Sequence, residues 1–216
     1  MRALTASLSV RFGLAADWAV IRQPETFAAA RARLGVAATG RVIVVPFFVA
    51  EGYFVRVKLP RLLAEHGFAA TERLPVFGAL AGLIELIAER IGELAGPALR
   101  PKVLLVAHGS ASGEPAPREA AERVADSLAA RGVGRMHLAY IEEPPSVEAQ
   151  LLNVRPDIVV GLFASEGTHA LDDVAALLDC APSVKAHIAA IGADPGAVDV
   201  VAAAIRAHVG RESAVS

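Results

Sequence analysis

The feature that most constrains the fold is an internal repeat within the chain. Residues 42–63, VIVVPFFVAEGYFVRVKLPRLL, align without a gap over residues 157–178, DIVVGLFASEGTHALDDVAALL. Both copies show an apolar run typical of a strand, then Glu-Gly, then a segment with helical periodicity. The repeat therefore predicts two copies of one strand-and-helix unit.

Two further blocks support a duplication of the whole unit. The segment around Gly78 resembles the segment around Gly192, and AVIRQPETF resembles AYIEEPPSV in the second half. The stretch 96–101 between the copies contains proline and glycine, which is typical of a connection. We predict an N-terminal lobe at residues 1–98 and a C-terminal lobe at residues 99–216.

The order of apolar and helical segments predicts an α/β fold. The strand candidates are apolar nearly throughout, which is typical of parallel sheets covered on both faces. The helical segments between them are long enough for crossover connections. We therefore expect two similar three-layer α/β/α lobes with parallel sheets. The predicted strands are residues 18–22, 41–48, 102–107, 136–141, 158–163 and 184–191, and the predicted helices are residues 27–34, 56–66, 80–94, 117–131, 146–153 and 196–209.

One segment of the second copy has no counterpart in the first. The alignment places Met1 opposite Ala121, inside a predicted helix, so nothing matches KVLLVAHGSASGEP at residues 102–115. We therefore expect the first lobe to lack its first strand. A homodimer that covers the resulting sheet edge is a further expectation.

Charge and composition exclude several classes of function. The net charge of −2 provides no basic field for nucleic acid, and no segment approaches the roughly 18 apolar residues of a membrane span. The one cysteine, Cys180, cannot form an intramolecular disulfide, which suits a reducing compartment. The first residues do not read as a signal peptide. We predict a soluble, cytoplasmic protein.

Candidate chemical groups collect after three strands of the second lobe. His108 follows one predicted strand, Glu142 and Glu143 follow the next, and His169 comes after the Glu-Gly turn of a third. Parallel strands bring these ends to one sheet edge, where open α/β folds bind ligands. Two imidazoles and a carboxylate there can bind a divalent first-row metal ion, and the imidazoles can accept protons near neutral pH.

Simpler interpretations of the same residues stay open. A histidine at a strand end is often only a packed residue, and Glu143 can be a solvated neighbour of Glu142. Ser110 lacks the Gly-x-Ser-x-Gly frame of a serine nucleophile. Asp172 and Asp173 fit the start of a helix better than a metal site.

The three segments LLVAHGS, AYIEEPPS and SEGTHALDDV resemble the signature stretches of the CbiX-type sirohydrochlorin chelatases. The resemblance implies two α/β lobes with a tetrapyrrole in the cleft between them. It further implies insertion of Co²⁺, or in related branches Fe²⁺ or Ni²⁺, without nucleotide hydrolysis. The family's two histidines match His108 and His169, and its glutamate matches Glu142. These three residues are therefore expected to be both the catalytic residues and the metal ligands.

The first lobe has different residues at the matching positions. Phe54 stands where the second lobe has His169, and Arg22 stands where it has Glu142. We expect that lobe to cover the macrocycle. Tyr53 and Phe54 can stack on a conjugated ring, although ordinary packing explains them equally well.

Cations near this aromatic pair suit a polycarboxylate substrate. Arg56 and Lys58 follow the Glu-Gly turn and are expected to bind the carboxylates of a sirohydrochlorin-like tetrapyrrole. The predicted function is insertion of a divalent ion, with Co²⁺ favoured, in cobalamin- or sirohaem-type biosynthesis. A non-catalytic carrier of metal or tetrapyrrole, and a relic of the fold that serves protein association, are the alternatives.

Overall fold

The computed structural model describes residues 1–35, 42–68, 71–96, 100–165, 174, 176–178 and 181–213. These residues form two compact units. The first unit combines Met1–Leu80 with Pro195–Ser216, and the second is the continuous segment Ala81–Asp194.

Helices alternate with short parallel strands along the chain. Within the part of the chain that is described, none of the helices is long and apolar enough to cross a membrane. In chain order the elements are α1 (Arg2–Phe12), α2 (Glu25–Leu34), β1 (Val42–Val44), a π-helical segment (Phe54–Lys58) that leads into α3 (Leu59–Glu65), β2 (Thr71–Arg73), a 3₁₀ turn (Phe77–Ala79), α4 (Ala81–Ala95), β3 (Lys102–Ala107), α5 (Ala116–Ala130), β4 (Arg135–Tyr140), α6 (Val147–Val154), β5 (Ile158–Gly161), β6 (Ala186–Ile188), a second 3₁₀ turn (Ile191–Ala193) and α7 (Ala197–Ser213).

The second unit contains a four-stranded parallel sheet in the order β4-β3-β5-β6. The central strands β3 and β5 are apolar and buried, as expected for strands covered on both faces. Leu104 and Val106 of β3 and Val159 of β5 belong to one core cluster with residues of α6. The predicted parallel α/β class is confirmed, and all four strands end at the same edge.

At the opposite, amino-terminal edge of the sheet, Asp157 links the starts of β3, β5 and β6 by hydrogen bonds. Its carboxylate accepts hydrogen bonds from the backbone N–H of Lys102, at 3.0 Å, and from the Nζ of Lys185, at 2.8 Å. The hydrogen bond from Lys185 lowers the pKa of Asp157 below its ordinary value. This edge is therefore occupied by structural contacts, and the carboxyl edge is left for function.

The sheet of the first unit is smaller. Among the described residues, β1 pairs in parallel with β2 and with no other strand. The strand predicted at residues 18–22 does not form. In this segment, Val20 makes only an isolated bridge to Gln23. Its counterpart β4 pairs with β3 alone, and the described residues of the first unit offer no equivalent partner. The missing first strand and the homodimer stay predictions.

The repeat is visible in matching backbone contacts. In the first unit, the N–H of Gly78 donates to the carbonyl oxygen of Phe48 at 3.0 Å, and in the second unit the N–H of Gly192 donates to that of Phe163 at 2.9 Å. The aligned copies pair these residues in the sequence. Both units thus join the end of a strand to a 3₁₀ turn in the same way.

The last helix of each copy packs in the unit of the other copy. Helix α4 follows the 3₁₀ turn of the first copy but contacts α5 and β5 of the second unit. Helix α7 follows the 3₁₀ turn of the second copy but contacts α1 of the first unit. The compact units therefore divide at Leu80 and Asp194, whereas the lobe boundary predicted at residue 98 marks the repeat and stays a prediction.

Candidate functional site

His108 lies directly after β3 at the carboxyl edge of the second unit. Its side chain is exposed, and its ring makes an edge-to-face contact with Phe163, with 5.2 Å between ring centroids. Phe163 follows β5 and is buried. The neighbouring strand end thus supports the imidazole from one side, and the rest of the ring stays accessible to a ligand.

Glu142 lies beside His108 because β4 runs alongside β3. The backbone N–H of Glu142 donates to the carbonyl oxygen of His108 at 2.9 Å, which continues the pairing of the two strands. The exposed carboxylate of Glu142 accepts a weak hydrogen bond, of 3.3 Å, from the N–H of Ala111. An exposed imidazole and an exposed carboxylate thus follow neighbouring strands at the edge where open α/β sheets bind ligands.

Glu143 takes a different direction from Glu142. Its carboxylate accepts a 2.8 Å hydrogen bond from the Nη2 of Arg118 on α5. Its side chain also fills the space next to Gly109, where a Cβ would lie 2.7 Å from the Cγ of Glu143. The Glu143 side chain is only 18% exposed, so the interpretation of this residue as a solvated neighbour is wrong.

Arg118 and Tyr140 pack together with Glu143 next to the His108 loop, which comprises residues 108–115. The Arg118 guanidinium lies 4.5 Å from the centroid of the buried Tyr140 ring. The hydrogen bond to Glu143 raises the pKa of Arg118, and burial raises the pKa of the Tyr140 phenol. Arg118 is therefore a fixed cation, and Tyr140 stays neutral.

The His108 loop is held by its own hydroxyl groups. Ser110 Oγ lies 3.0 Å from Ser112 Oγ and accepts a hydrogen bond from the N–H of Glu114. Gly109 and Gly113 have φ values of 70° and 78°, which only glycine adopts without strain. The Ser110 hydroxyl thus serves the loop, in agreement with its poor match to a serine nucleophile.

The remaining predicted groups of the second lobe lie outside the described residues. These are His169, Asp172 and Asp173. Among the residues that the structure does describe, no three His, Cys, Asp or Glu side chains come together as a metal site. The structure thus brings the backbones of His108 and Glu142 next to each other at the carboxyl edge, and their joint role as ligands stays a prediction.

The aromatic residues predicted to bind the macrocycle lie on the surface of the first unit. Tyr53 is 55% exposed and Phe54 is 37% exposed. Two cations lie close to the Phe54 ring, with the Arg22 guanidinium 6.0 Å and the Lys58 Nζ 5.5 Å from its centroid. Arg56 is exposed on the same helical segment. These five residues are called the Phe54 patch below.

A cavity of about 440 Å³ also lies in the first unit, away from these residues. It lies between α1, the segment 15–18 and the end of α2, and its wall carries the ion pair of Asp17 with Arg33. None of the candidate residues lines it. The chemistry points to the sheet edge instead.

Sequence reasoning did not single out Arg118. Arg118 and Glu143 are 25 residues apart in the chain, and packing of α5 against β4 brings them together. The alternation of polar and apolar residues marks Arg118 only as a polar residue near the start of a helix. No pattern within the sequence identifies its partner.

Comparisons with known proteins show what the chain resembles. No protein-family model and no curated protein matches it. Among solved structures, it is 32% identical to CbiX, described as the terminal enzyme for biosynthesis of siroheme in denitrifying bacteria. That match covers 76% of this chain and 74% of the other, with a TM-score of 0.67.

Two further structures share the fold at lower identity. SirB from Bacillus subtilis, determined with Fe³⁺, is 14% identical over 95% of this chain and 86% of its own, with a TM-score of 0.71. DR2241 from Deinococcus radiodurans, a multi-domain protein similar to chelatases, is 21% identical over 77% of this chain and 41% of its own, with a TM-score of 0.56.

Proposed function

Because the chain belongs to the CbiX-type sirohydrochlorin chelatase family, we propose that it inserts a divalent metal ion into a sirohydrochlorin-like tetrapyrrole. The observation that carries the proposal is that His108 and Glu142 are both exposed and are joined by a backbone hydrogen bond at the carboxyl edge of the sheet. Imidazole and carboxylate groups both bind first-row metal ions, and both side chains are exposed.

The reaction requires a site that binds the ion and accepts protons. A metal-free tetrapyrrole carries two pyrrole N–H groups, so insertion of M²⁺ forms four metal–nitrogen bonds and releases two protons. Neutral imidazole at His108 can hold the ion and can also take a proton. Glu142 serves as the second ligand or as the acceptor of the other proton. His169, named by the family resemblance, is the third proposed group.

The first unit supports a joint role for Glu142 and His169. Their counterparts in the repeat are Arg22 and Phe54, and these two side chains contact each other in the first unit. Arg22 and Phe54 therefore belong to one surface of the first unit. By analogy with the repeat, we propose that Glu142 and His169 act on one ion in the second unit.

We also propose that the Phe54 patch binds the macrocycle. Its exposed aromatic rings offer a surface for stacking on a conjugated ring, with a gain on the order of 1 kcal/mol. Arg22, Arg56 and Lys58 supply the positive charge that a polycarboxylate substrate requires. The exposure of the two rings favours binding over simple core packing.

Replacement of Phe54 by leucine tests this binding role. We expect Phe54→Leu to raise the KM for the tetrapyrrole about fivefold, because a loss on the order of 1 kcal/mol of stacking changes affinity by that factor. The turnover number should change little. The matched control is Phe12→Leu, since the Phe12 ring also contacts two arginines, Arg11 and Arg206, outside the patch. An unchanged KM in Phe54→Leu would exclude stacking on this ring.

The identity of the metal ion is a finer part of the proposal. Imidazole and carboxylate ligands accept Co²⁺ and Fe²⁺ alike, so the residues do not choose between them. The sequence prediction favours Co²⁺. The similar structures named above are associated with siroheme and with Fe³⁺, which makes Fe²⁺ the second candidate.

Absorbance spectroscopy of the macrocycle tests the function directly. The protein is mixed anaerobically with metal-free sirohydrochlorin and either Co²⁺ or Fe²⁺, and the spectral change is compared with the uncatalysed rate. Acceleration with either ion supports the chelatase, and the faster ion identifies the metal substrate. Binding of the macrocycle without acceleration supports a carrier, and absence of binding supports a role in protein association.

A further inference from the structure

We propose that Arg118 and Glu143 form a positioning pair that fixes the His108 loop relative to Glu142. The inference rests on the proposed function, because it assigns this pair a role in holding the metal-binding groups in place. Neither residue is proposed to touch the metal ion or the tetrapyrrole.

Arg118 joins two segments that carry the site. Its Nη2 donates to the Oε2 of Glu143 at 2.8 Å and to the carbonyl oxygen of Pro144 at 2.7 Å. Arg118 belongs to α5, which follows the His108 loop, whereas Glu143 and Pro144 follow β4 together with Glu142. Charge-assisted hydrogen bonds of this length are among the stronger ones in proteins. The two segments are therefore held together directly behind the site.

Glu143 transmits this restraint to the residue next to His108. A Cβ at Gly109 would lie 2.7 Å from the Cγ and 2.8 Å from the Oε1 of Glu143, so the two residues are in tight contact. Gly109 also has a φ of 70°, which fixes the direction in which the chain leaves His108. The Glu143 side chain therefore limits the positions open to Gly109 and to the adjoining His108 backbone.

The contacts of Arg118 and Glu143 argue against direct binding of the metal ion or the tetrapyrrole by either residue. The Oε1 of Glu143 is buried and has no hydrogen-bond partner among the described residues, and its Oε2 is engaged by Arg118. The Arg118 guanidinium is engaged by two acceptors and lies on the face of the Tyr140 ring. Glu142, by contrast, is exposed and makes one long hydrogen bond. The geometry thus separates one glutamate that can bind from one that positions.

Titration with Co²⁺, followed by the visible absorption of the protein-bound ion, tests the pair without any catalytic turnover. The variants are Arg118→Gln and Glu143→Gln, of which the second keeps the size of the side chain. We expect each to weaken Co²⁺ binding about tenfold and to shift the absorption bands, because residues that orient metal ligands typically contribute 10–100-fold. In the insertion assay, the turnover number should fall about tenfold while the KM for the tetrapyrrole changes less than twofold.

Arg131→Gln is the matched control. Arg131 lies at the other end of α5 and makes an ion pair of 2.6 Å with Glu85, with a similar exposure to Arg118. This variant should bind Co²⁺ like the wild type. The double variant Arg118→Gln/Glu143→Gln should be no weaker than either single variant, because both act through one contact.

The outcomes separate this inference from the proposed function. Unchanged Co²⁺ affinity and spectrum in both single variants, each folded as judged by circular dichroism, would overturn the positioning role even where the wild type inserts metal. If the wild-type protein bound Co²⁺ but inserted none, the proposed chelatase function would be wrong. Weaker Co²⁺ binding by the variants would in that case still support the positioning role of Arg118 and Glu143. Additive losses in the double variant would show that the two residues act separately.

Discussion

His108→Ala is expected to lower the kcat/KM for metal insertion by about 100-fold or more. The substitution removes the imidazole that is proposed to hold the ion and accept a pyrrole proton, and positioned proton acceptors typically contribute at least this factor. The His108 side chain is exposed, and the one ring contact it makes among the described residues is with Phe163. The fold should therefore survive, with a change in stability below about 1 kcal/mol. The measurement is the initial rate of the absorbance change at varied tetrapyrrole concentration.

His187→Ala controls for the loss of a histidine from the same unit. His187 lies on β6 and is exposed, but it is not at the carboxyl edge of the sheet. The His187→Ala variant should insert metal at the wild-type rate. A rate for His108→Ala equal to that of His187→Ala would mean that His108 is only a packed residue at the end of a strand.

Gly78→Ala and Gly192→Ala are expected to lower the free energy of unfolding by about 3 kcal/mol each. A Cβ at Gly78 would lie 1.9 Å from the carbonyl oxygen of Val49, and one at Gly192 would lie 2.3 Å from that of Ala164. Both contacts are with backbone, so no side chain can rotate away to relieve them. The two copies of the repeat should therefore show the same sensitivity, measured by urea unfolding of each variant.

Gly92→Ala is the control for these substitutions. Gly92 lies within α4, and no atom apart from its chain neighbours and the adjoining backbone of this helix lies within 4 Å of the position its Cβ would take. Alanine should raise the free energy of unfolding there by about 0.5–1 kcal/mol, because glycine has a poor helix propensity. If Gly78→Ala and Gly192→Ala were as stable as Gly92→Ala, the close approach of turn and strand would be incorrect in both units.

The central sheet of the second unit was predictable because its strands are continuous apolar runs. Residues 102–107 were predicted as a strand and form β3 with the same bounds. The strand β2, Thr71–Arg73, was missed because its polar residues give no apolar signal. The segment 18–22 has a strand-like sequence but remains unpaired as a strand, since pairing depends on a neighbour that the sequence of the segment does not encode.

The candidate site was predictable only in part, for a similar reason. His108 and Glu142 follow apolar strands, so their position at one sheet edge could be inferred from strand order. The family resemblance then selected Glu142 over Glu143. The contact of Arg118 with Glu143 depends on the packing of α5, which the spacing of residues along the chain does not specify.

Helices α4 and α7 each pack in the unit of the other copy, and this arrangement bears on the origin of the chain. A single copy of the repeat ends with a helix that packs in the other unit, so an ancestral polypeptide of one repeat would have left its own core uncovered. Two such polypeptides could cover both cores as a domain-swapped dimer, in which the last helix of each chain packs on the core of the other. A fusion of the two genes would make this arrangement permanent, because each half then carries the helix that packs in the unit of the other.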